Sequence, residues 1–518
     1  MTVENLRAAE AEPGQWQWLA NVQEAVESVF TPVSDAVSSV VFYAPEIGGI
    51  EFPLIVLWLV VAATIFTIYF RAPQATSWKL SADLVRGKYS RESDPGEITH
   101  FAALSSAVSG TVGLGNIAGV GAALVIGGPG ATFWMILAGL LGMCTKFVEC
   151  TLGVKYREVH EDGTVTGGPF RYLPVAFERF GSGVSRTAVL IFAIALFFFG
   201  AAGGNMFQAN QTYAQAVEVT GGSDGPLGGS TASLIFGLVL AGLVGIVIIG
   251  GVSSIARVTS RLVPVMGIIY VTACLVVLVV NVTAIPAAIG AIFGGAFTPD
   301  AGFGGLIGVL IVGFQRAAFS NEAGVGSAPI VHSAVKTRHP VSEGYVALLE
   351  PFIDTVIVCT MTALAIVVTD TQFYNEAIET YQAGDGTADG VVVTSNAFDT
   401  VIGWFPQVLA IAVALFAFST LITWSYYTLK AWTEVFGRSK KSETTFQLIF
   451  CLFIVVGAVV TFDSVLNFAD AMLFVCAVVN LLGCYLLLPV VKEEVRKFRE
   501  GRESGEIAIV PEAERATT

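Results

Sequence analysis

The sequence SGTVGLGN at residues 109–116 interrupts a long apolar run, and SNEAGVGS at residues 320–327 interrupts another. Aligned with each other, the two stretches share one serine and two glycines: Ser109 with Ser320, Gly113 with Gly324, and Gly115 with Gly326. A helix opened by glycines at membrane depth leaves peptide groups unpaired, and such groups are tolerated where they line a cavity or hold a ligand. For either stretch alone, close helix packing through small residues is the alternative.

The composition is that of a polytopic membrane protein. The chain has 518 residues, of which 54% are hydrophobic and 13% charged, with a mean hydropathy of +0.72. Soluble proteins carry about 25% charged residues. No secretory signal is visible, because the first fifty residues lack a basic start followed by a compact apolar core. We therefore expect a lipid bilayer as the surroundings and no nucleic-acid partner.

Cysteine and histidine usage argues against redox or metal chemistry. The seven cysteines lie in or at the edges of apolar runs, and none forms a CxxC pair. We expect no disulfide and no zinc site. The four histidines form no metal-ligand cluster in the sequence, and no HExxH or GxSxG motif is present. The chain is therefore not expected to be an enzyme.

Eleven apolar segments are long enough to span a membrane. They are predicted near 52–70, 100–127, 131–153, 187–213, 232–251, 258–280, 303–335 (broken), 343–368, 397–429, 444–461 and 465–490. The acidic residues 1–50 precede them, with apolar positions at helical spacing over 16–30 that fit either an amphipathic surface helix or a packed cap. Residues 491–518 form a tail.

Lysine and arginine counts predict the orientation. The loops after odd-numbered spans and the C-terminal tail hold 24 of the 27 basic residues, whereas the N-terminal segment and the other loops hold only Arg7. Lys146 and Arg316 lie within segments. Basic loops stay in the cytoplasm, so we expect a plasma-membrane protein with its N-terminus outside and its C-terminus inside.

The order of the spans predicts an inverted repeat. If span 52–70 is a peripheral helix, ten spans remain, five in residues 100–280 and five in residues 303–490. Because five is odd, the two halves cross the membrane in opposite directions, and each glycine break falls in the first helix of its half. This layout is typical of secondary transporters, which bind substrate at such breaks.

Several motifs resemble the alanine or glycine:cation symporter family. They are SGTVGLGNIAG from 109, GGPGATFWMILAGLLGMCTKFVE (127–149), KYREVHEDGTVTGGPFRYL (155–173), GGNMFQAN (203–210), FSNEAGVGSAPIVHSA (319–334), FIDTVIVCT (352–360) and FSTLITW (418–424). The resemblance covers residues 52 to 490. It implies an all-α protein on the leucine-transporter fold, with a five-plus-five inverted repeat, and sodium-coupled uptake of a small neutral amino acid, alanine or glycine.

The first break offers donors to a substrate carboxylate. Peptide N–H groups of Leu114, Gly115 and Asn116 would open the second half-helix, whose positive dipole end favours an anion. The resemblance places the substrate carboxylate on Leu114 and Gly115. For Asn116, a role as the cap of the restarted helix is compatible with ligand contact.

The second break offers acceptors to a substrate ammonium. The resemblance places the ammonium on carbonyls of Phe319, Ser320 and Glu322, with Asn321 adding a side-chain hydrogen bond or capping the half-helix. Glu322 is the carboxylate of this break, and either balances a positive ligand or pairs with Arg316.

Two further groups of residues fall in the same apolar segments. Asp354 in FIDT, like Glu322, either balances a positive ligand or forms a structural ion pair. Lys146 and Glu149 are three residues apart and are expected to form a local salt bridge. Gln208 lies on one face of the third core helix, and Phe207 and Trp424 are expected to wall the substrate site or simply to pack.

Sodium prefers oxygen ligands. Freed carbonyls near Ser109 and Val112 offer two, and Ser419 and Thr420 offer hydroxyls that alternatively bond back to their own helix. The resemblance puts one sodium site there. Proton coupling on the same fold, with Glu322 as the proton carrier, is the main alternative. A channel is the other, and fits two inverted halves less well.

Overall fold

The computed structural model describes residues 32, 35–47, 50–51, 53–161, 163–297, 305–384, 390–459 and 463–516. The apolar pattern at 16–30 lies outside them. Fifteen helices are labelled here: α1 Leu54–Tyr69, α2 His100–Thr111, α3 Ala118–Gly127, α4 Ala131–Lys155, α5 Ser182–Ala201, α6 Phe207–Val219, α7 Ser230–Ile248, α8 Gly251–Val280, α9 Gly305–Asn321, α10 Ala328–His332, α11 Pro340–Ala347, α12 Thr360–Thr369, α13 Phe405–Phe436, α14 Lys440–Val459 and α15 Asp463–Ser504.

Shorter elements connect these helices. They are the helices Pro73–Thr76, Trp78–Val85, Pro169–Phe177, Ile285–Phe297, Leu349–Pro351, Gln372–Ala383 and Gly390–Asp399. Two antiparallel hairpins pair β1 Glu46–Ile47 with β2 Ile50–Glu51, and β3 Glu158–Val159 with β4 Val165–Thr166. Two π-helical segments, Ala202–Met206 and Phe352–Cys359, join α5 to α6 and lead into α12.

Within the described residues, eight helices are long and apolar enough to cross a membrane, or nine when the bent pair at the first glycine break is taken as one span. Two further predicted spans correspond to the shorter apolar helices α1 and α9. A count of eleven and the inverted repeat therefore stay predictions, whereas a polytopic helical membrane protein is what the structure shows.

Three helices differ in extent from the predicted spans. Residues 397–399 belong to a separate helix, Gly390–Asp399, and α13 begins only at Phe405. The gap between the predicted spans 232–251 and 258–280 is helical, since α8 begins at Gly251 and carries Arg257 and Arg261 on its first turns. Helix α15 continues to Ser504, well into the predicted tail. In the last two cases charged residues extend the helix beyond the apolar run that marks the span in the sequence.

The first glycine break lies inside the bundle. Helix α2 packs against α8 and α13, and the break contacts α9 and the π-helical segment Phe352–Cys359. Helix α1 packs on α4 at the outside of the bundle and leaves Ile68 exposed. The end of the chain crosses the segment before α2, where Val510 N–H donates to Lys88 O at 2.8 Å and Ala516 N–H to Ser90 O at 3.1 Å.

Candidate functional site

The first break is held open by side chains. Val112 ends α2, its N–H still donating to Val108 O at 2.7 Å, and Leu114–Asn116 form a 3-10 turn before α3. The two half-helices meet at 59°. Asn116 Oδ1 accepts from Gly113 N–H at 2.9 Å, and Gln208 Oε1 accepts from Leu114 N–H at 3.3 Å. Asn116 therefore caps the 3-10 turn that leads into α3, close to the capping role considered from the sequence.

The second break uses a left-handed backbone. Glu322, Gly324 and Gly326 have φ of +55°, +96° and +89°, and glycine adopts such angles without the strain that a Cβ adds. Ser327 Oγ donates to Glu322 Oε2 at 2.5 Å. Glu322 thus forms a hydrogen bond within its own break, and Arg316 pairs elsewhere, so of the two alternatives for Glu322 the ion pair with Arg316 is not formed.

The second break is held from outside by α4 and α15. Arg316 Nη1 instead lies 3.8 Å from Asp470 Oδ2, on α15. Asn480, also on α15, donates to Gly324 O at 2.8 Å and to Glu149 Oε1, and Glu149 Oε2 accepts from Gly324 N–H at 3.3 Å. The polar groups of the second break are therefore bound by α4 and α15.

Asp354 joins the two breaks. Its Oδ1 accepts from Asn116 Nδ2 at 2.7 Å, and its Oδ2 accepts from Ser320 Oγ at 2.7 Å and from Thr355 Oγ1 at 2.7 Å. The carboxylate is fully buried, and among the described residues no Lys, Arg or His nitrogen lies within ion-pair distance of it. Asn321 lies beside it, with Nδ2 donating to Thr355 Oγ1 at 2.9 Å and Oδ1 accepting from Ala323 N–H at 2.9 Å.

The sequence pattern alone left Asp354 outside the predicted site. The signal was present, because an ionisable residue inside an apolar run is a functional hypothesis by default. Its placement also depends on the π-helical segment Phe352–Cys359, in which the extra residue per turn turns side chains toward a new face. The residue pattern does not predict that π-helical segment.

A cluster of oxygen atoms lies where α2 meets α13. Thr420 Oγ1 donates to Ser109 O at 3.1 Å, Thr423 Oγ1 donates to Ser109 Oγ at 3.1 Å, and Ser109 Oγ donates to Ser419 O at 2.8 Å. The Ser419 hydroxyl instead bonds back to Phe416 O at 2.9 Å. Ser419 therefore presents its carbonyl here, Thr420 its hydroxyl, and Thr423 is an addition that the sequence analysis missed.

Four aromatic rings form a row beside the breaks. Ring centroids are 6.2 Å apart for Phe207 and Phe319, 6.3 Å for Phe319 and Phe199, and 4.7 Å for Phe199 and Trp424. Trp424 is buried and donates from Nε1 to Gly110 O at 3.2 Å. It packs deeper than Phe319, which is half-buried.

Gly115 and Gly113 face different neighbours. A Cβ on Gly115 would lie 3.5 Å from the Phe319 ring, which is an ordinary contact. A Cβ on Gly113 would lie 2.6 Å from Thr420 Oγ1, which is closer than real Cβ atoms approach. The structure thus brings Gly115 to the aromatic row and Gly113 to the oxygen cluster.

A buried ion cluster lies behind the second break. Lys146 Nζ donates to Glu350 Oε1 at 3.0 Å, and the expected Lys146–Glu149 bridge is wrong. His332 Nδ1 lies 2.5 Å from Glu343 Oε1, and His100 Nδ1 contacts Glu343 Oε2. These five side chains, Lys146, Glu350, His332, Glu343 and His100, are at most 1% exposed. Such buried charges are tolerated because each has a partner.

Comparisons with a family profile and with known proteins indicate the same family. The profile of the sodium:alanine symporter family matches residues 38–511. The sodium/alanine symporter AgcS of Methanococcus maripaludis is 39% identical over 428 residues, covering 81% of this chain and 88% of AgcS. The putative sodium/proton-dependent alanine carrier protein YrbD of Bacillus subtilis is 34% identical, covering 81% of this chain and 84% of YrbD.

A solved structure shows the same fold. MhsT in complex with L-phenylalanine aligns with a TM-score of 0.52 and 18% identity, covering 76% of this chain and 88% of MhsT. MhsT has the leucine-transporter fold, so the fold expected from the sequence resemblance is confirmed. With the family profile spanning almost the whole described chain, this protein belongs to the sodium:alanine symporter family of amino-acid:cation symporters.

Proposed function

We propose that this chain is a sodium-coupled symporter that imports a small neutral amino acid, alanine or glycine, by alternating access. The observation that carries the proposal is Asp354, a buried carboxylate between the two helix breaks whose described partners are all neutral. A buried charge without a counter-charge is costly, and a positive ligand bound between the breaks would offset that cost.

The substrate ammonium would lie at the Asp354 end of this site. Carbonyl groups of Phe319, Ser320 and Glu322 remain the proposed acceptors, and Asp354 supplies the opposite charge. The carboxylate would bind at Leu114 and Gly115. Because Gln208 Oε1 already accepts from Leu114 N–H, the substrate would have to displace that amide. Asn116 would support both ends, since it caps the first break and binds Asp354.

Sodium would bind in the oxygen cluster between α2 and α13. Carbonyls of Ser109 and Val112 and the hydroxyl of Thr420 are oxygen donors of the kind that a hard cation prefers, and Ser419 would contribute its carbonyl. Asp354 offers a second position for a cation. Its carboxylate can balance either the ammonium or a sodium ion, and separate titrations distinguish the two.

The aromatic row favours a small substrate. The Phe319 ring lies beside Gly115, the proposed carboxylate position, since a Cβ built on Gly115 would be 3.5 Å from it. Phe207 lies beyond Phe319. Steric exclusion by such rings discriminates strongly, since a packed site resists added volume.

The test is uptake of labelled alanine into proteoliposomes that contain the purified chain. Uptake should require an inward sodium gradient and should stop when a sodium ionophore is added. Labelled alanine should accumulate inside the proteoliposomes above its equilibrium concentration. Glycine should compete and leucine should not. Saturable uptake that ignores the sodium gradient would refute sodium coupling, and equal competition by leucine would refute the small-substrate assignment. The same panel should include glutamine, because a probable sodium/glutamine symporter, GlnT of Bacillus subtilis, is 29% identical over 455 residues.

Proton coupling is the second candidate. Glu322 is buried at the second break, with Ser327 donating to it, and the buried ion cluster holds two histidines. Replacing sodium with choline at constant pH separates the two mechanisms. Loss of uptake supports sodium, whereas retained uptake that responds to a pH gradient supports protons.

A further inference from the structure

One face of α8 changes along its length from basic to apolar. Arg257 and Arg261 stand four residues apart, and the same stripe continues at three-, four- and seven-residue spacing through Val265, Ile268, Leu275 and Val279. These four apolar side chains are 48–70% exposed. In a helix that spans a membrane, such a stripe faces lipid, so the two arginines stand at the end of a lipid-facing surface.

The arginines open into a cleft. It has a volume of about 290 Å³ and lies between the first three turns of α8 and the start of α2. Lys336 lines it too, placed there by its own N–H, which donates to Ile98 O at 2.7 Å. Within the described chain neither arginine has a carboxylate at ion-pair distance, whereas Lys336 contacts Glu92.

The carboxylate in the cleft does not neutralise the arginines. Glu97 lines the same cleft, but its Oε1 accepts from Val165 N–H at 2.7 Å. Because Lys336 pairs with Glu92, the uncompensated charge of the cleft is that of Arg257 and Arg261. Basic pockets between membrane helices bind anionic lipid headgroups, because the phosphate meets fixed positive charge at the membrane surface.

We infer that this cleft and stripe bind one anionic phospholipid, with its phosphate at Arg257 and Arg261 and an acyl chain along the apolar stripe of α8. A soluble anion would use the arginines but leave the stripe unexplained. A zwitterionic lipid would cover the stripe but bring no net charge to two unpaired arginines. On the orientation proposed above, the lipid belongs to the inner leaflet.

The site adjoins a moving part of the proposed transport cycle. Phe101 and Ala102, at the start of α2, line the cleft, and α2 is joined to α8 through Ser106 Oγ and Thr259 Oγ1 at 2.9 Å. A lipid held there would contact both helices. This consequence rests on the proposed function, whereas lipid binding itself does not.

The experiment is native mass spectrometry of the delipidated full chain, titrated with phosphatidylglycerol or phosphatidylcholine. Wild type should bind one phosphatidylglycerol in preference to phosphatidylcholine. Arg257→Gln with Arg261→Gln should weaken that binding by about 30-fold, since each basic residue at an anionic surface is worth roughly a factor of five. Arg186→Gln, an exposed arginine at the start of α5, is the matched control and should bind like wild type.

Three outcomes would overturn the inference. One is equal affinity for both lipids, the second is unchanged binding in the double variant, and the third is displacement of phosphatidylglycerol by glycerol phosphate, which would indicate a soluble-anion site. An unchanged elution volume in size-exclusion chromatography verifies that the double variant is folded. Because the experiment measures lipid binding and not transport, its result does not depend on whether the chain shows sodium-driven uptake.

Discussion

Replacing Asp354 with asparagine tests the central element of the site. Asparagine has almost the same shape, its oxygen can accept from Asn116, and its amide can donate to the hydroxyls of Ser320 and Thr355, which now donate to the carboxylate at 2.7 Å. The substitution therefore removes one negative charge while leaving the hydrogen-bonding groups in place. Any large effect on binding then reports on charge.

The expected loss follows from that charge. A hydrogen bond to a charged group contributes about 1.5–3 kcal/mol, which corresponds to roughly a 10- to 150-fold increase in Kd. Ligand-free stability should move the other way or not at all, because the variant no longer buries a carboxylate without a counter-charge. Lower affinity together with an unchanged or higher melting temperature is the signature of a ligand-binding carboxylate.

Calorimetric titration of the purified variant measures the affinity for alanine and the affinity for sodium. Alanine is titrated at saturating sodium, and sodium is titrated at fixed alanine. Weaker alanine binding with unchanged sodium dependence assigns the charge to the ammonium, and the reverse assigns it to sodium. Asp399→Asn, the same change on an exposed side chain, is the control. If Asp354→Asn binds both within twofold of wild type, the carboxylate is structural and the reasoning fails.

Five other substitutions test the rest of the site. Thr420→Ala should raise the sodium concentration for half-maximal uptake about fivefold, because one lost oxygen contact costs roughly 1 kcal/mol. Ser419→Ala is the control and should leave that concentration unchanged, since the Ser419 hydroxyl bonds its own helix. Equal shifts in the two variants would contradict this. Gly113→Ala should abolish sodium-dependent uptake because its Cβ would lie 2.6 Å from Thr420 Oγ1, while Gly115→Ala should fold and favour glycine over alanine in competition assays. Phe207→Ala should let valine compete with labelled alanine, and an unchanged competition panel would make this ring a packing residue.

What the sequence made predictable was the position of the two helix breaks. Glycine pairs inside apolar runs mark breaks because few other residues adopt the angles seen at Gly324 and Gly326. The position of Thr420 beside the first break was expected from the family resemblance, which did not single out Thr423 on the same helix.

What escaped prediction depends on partners that are distant in the sequence. Lys146 was expected to bind Glu149, three residues away, but its partner Glu350 is 204 residues away and reaches it only through the packing of α4 against Leu349–Pro351. Asp354 binds Asn116 across 238 residues. Residue spacing along one helix predicts ion pairs and hydrogen bonds within that helix. It does not predict the pairs that form when distant helices pack together, and here those pairs replace the local ones.

The pairing of Lys146 with Glu350 has a consequence for biosynthesis. Helix α4 is complete 195 residues before Glu350 is made, because it ends at Lys155. At about 5–20 residues per second, the ribosome needs roughly 10–40 s to add that length. During this interval Glu149, three residues along α4, is the carboxylate nearest in sequence to Lys146, and an uncompensated charge costs up to about 2.5–3.5 kcal/mol at the centre of a membrane helix. The partner that Lys146 has in the folded protein therefore arrives only after α4 has been synthesised, which disfavours insertion of α4 ahead of the second half of the chain.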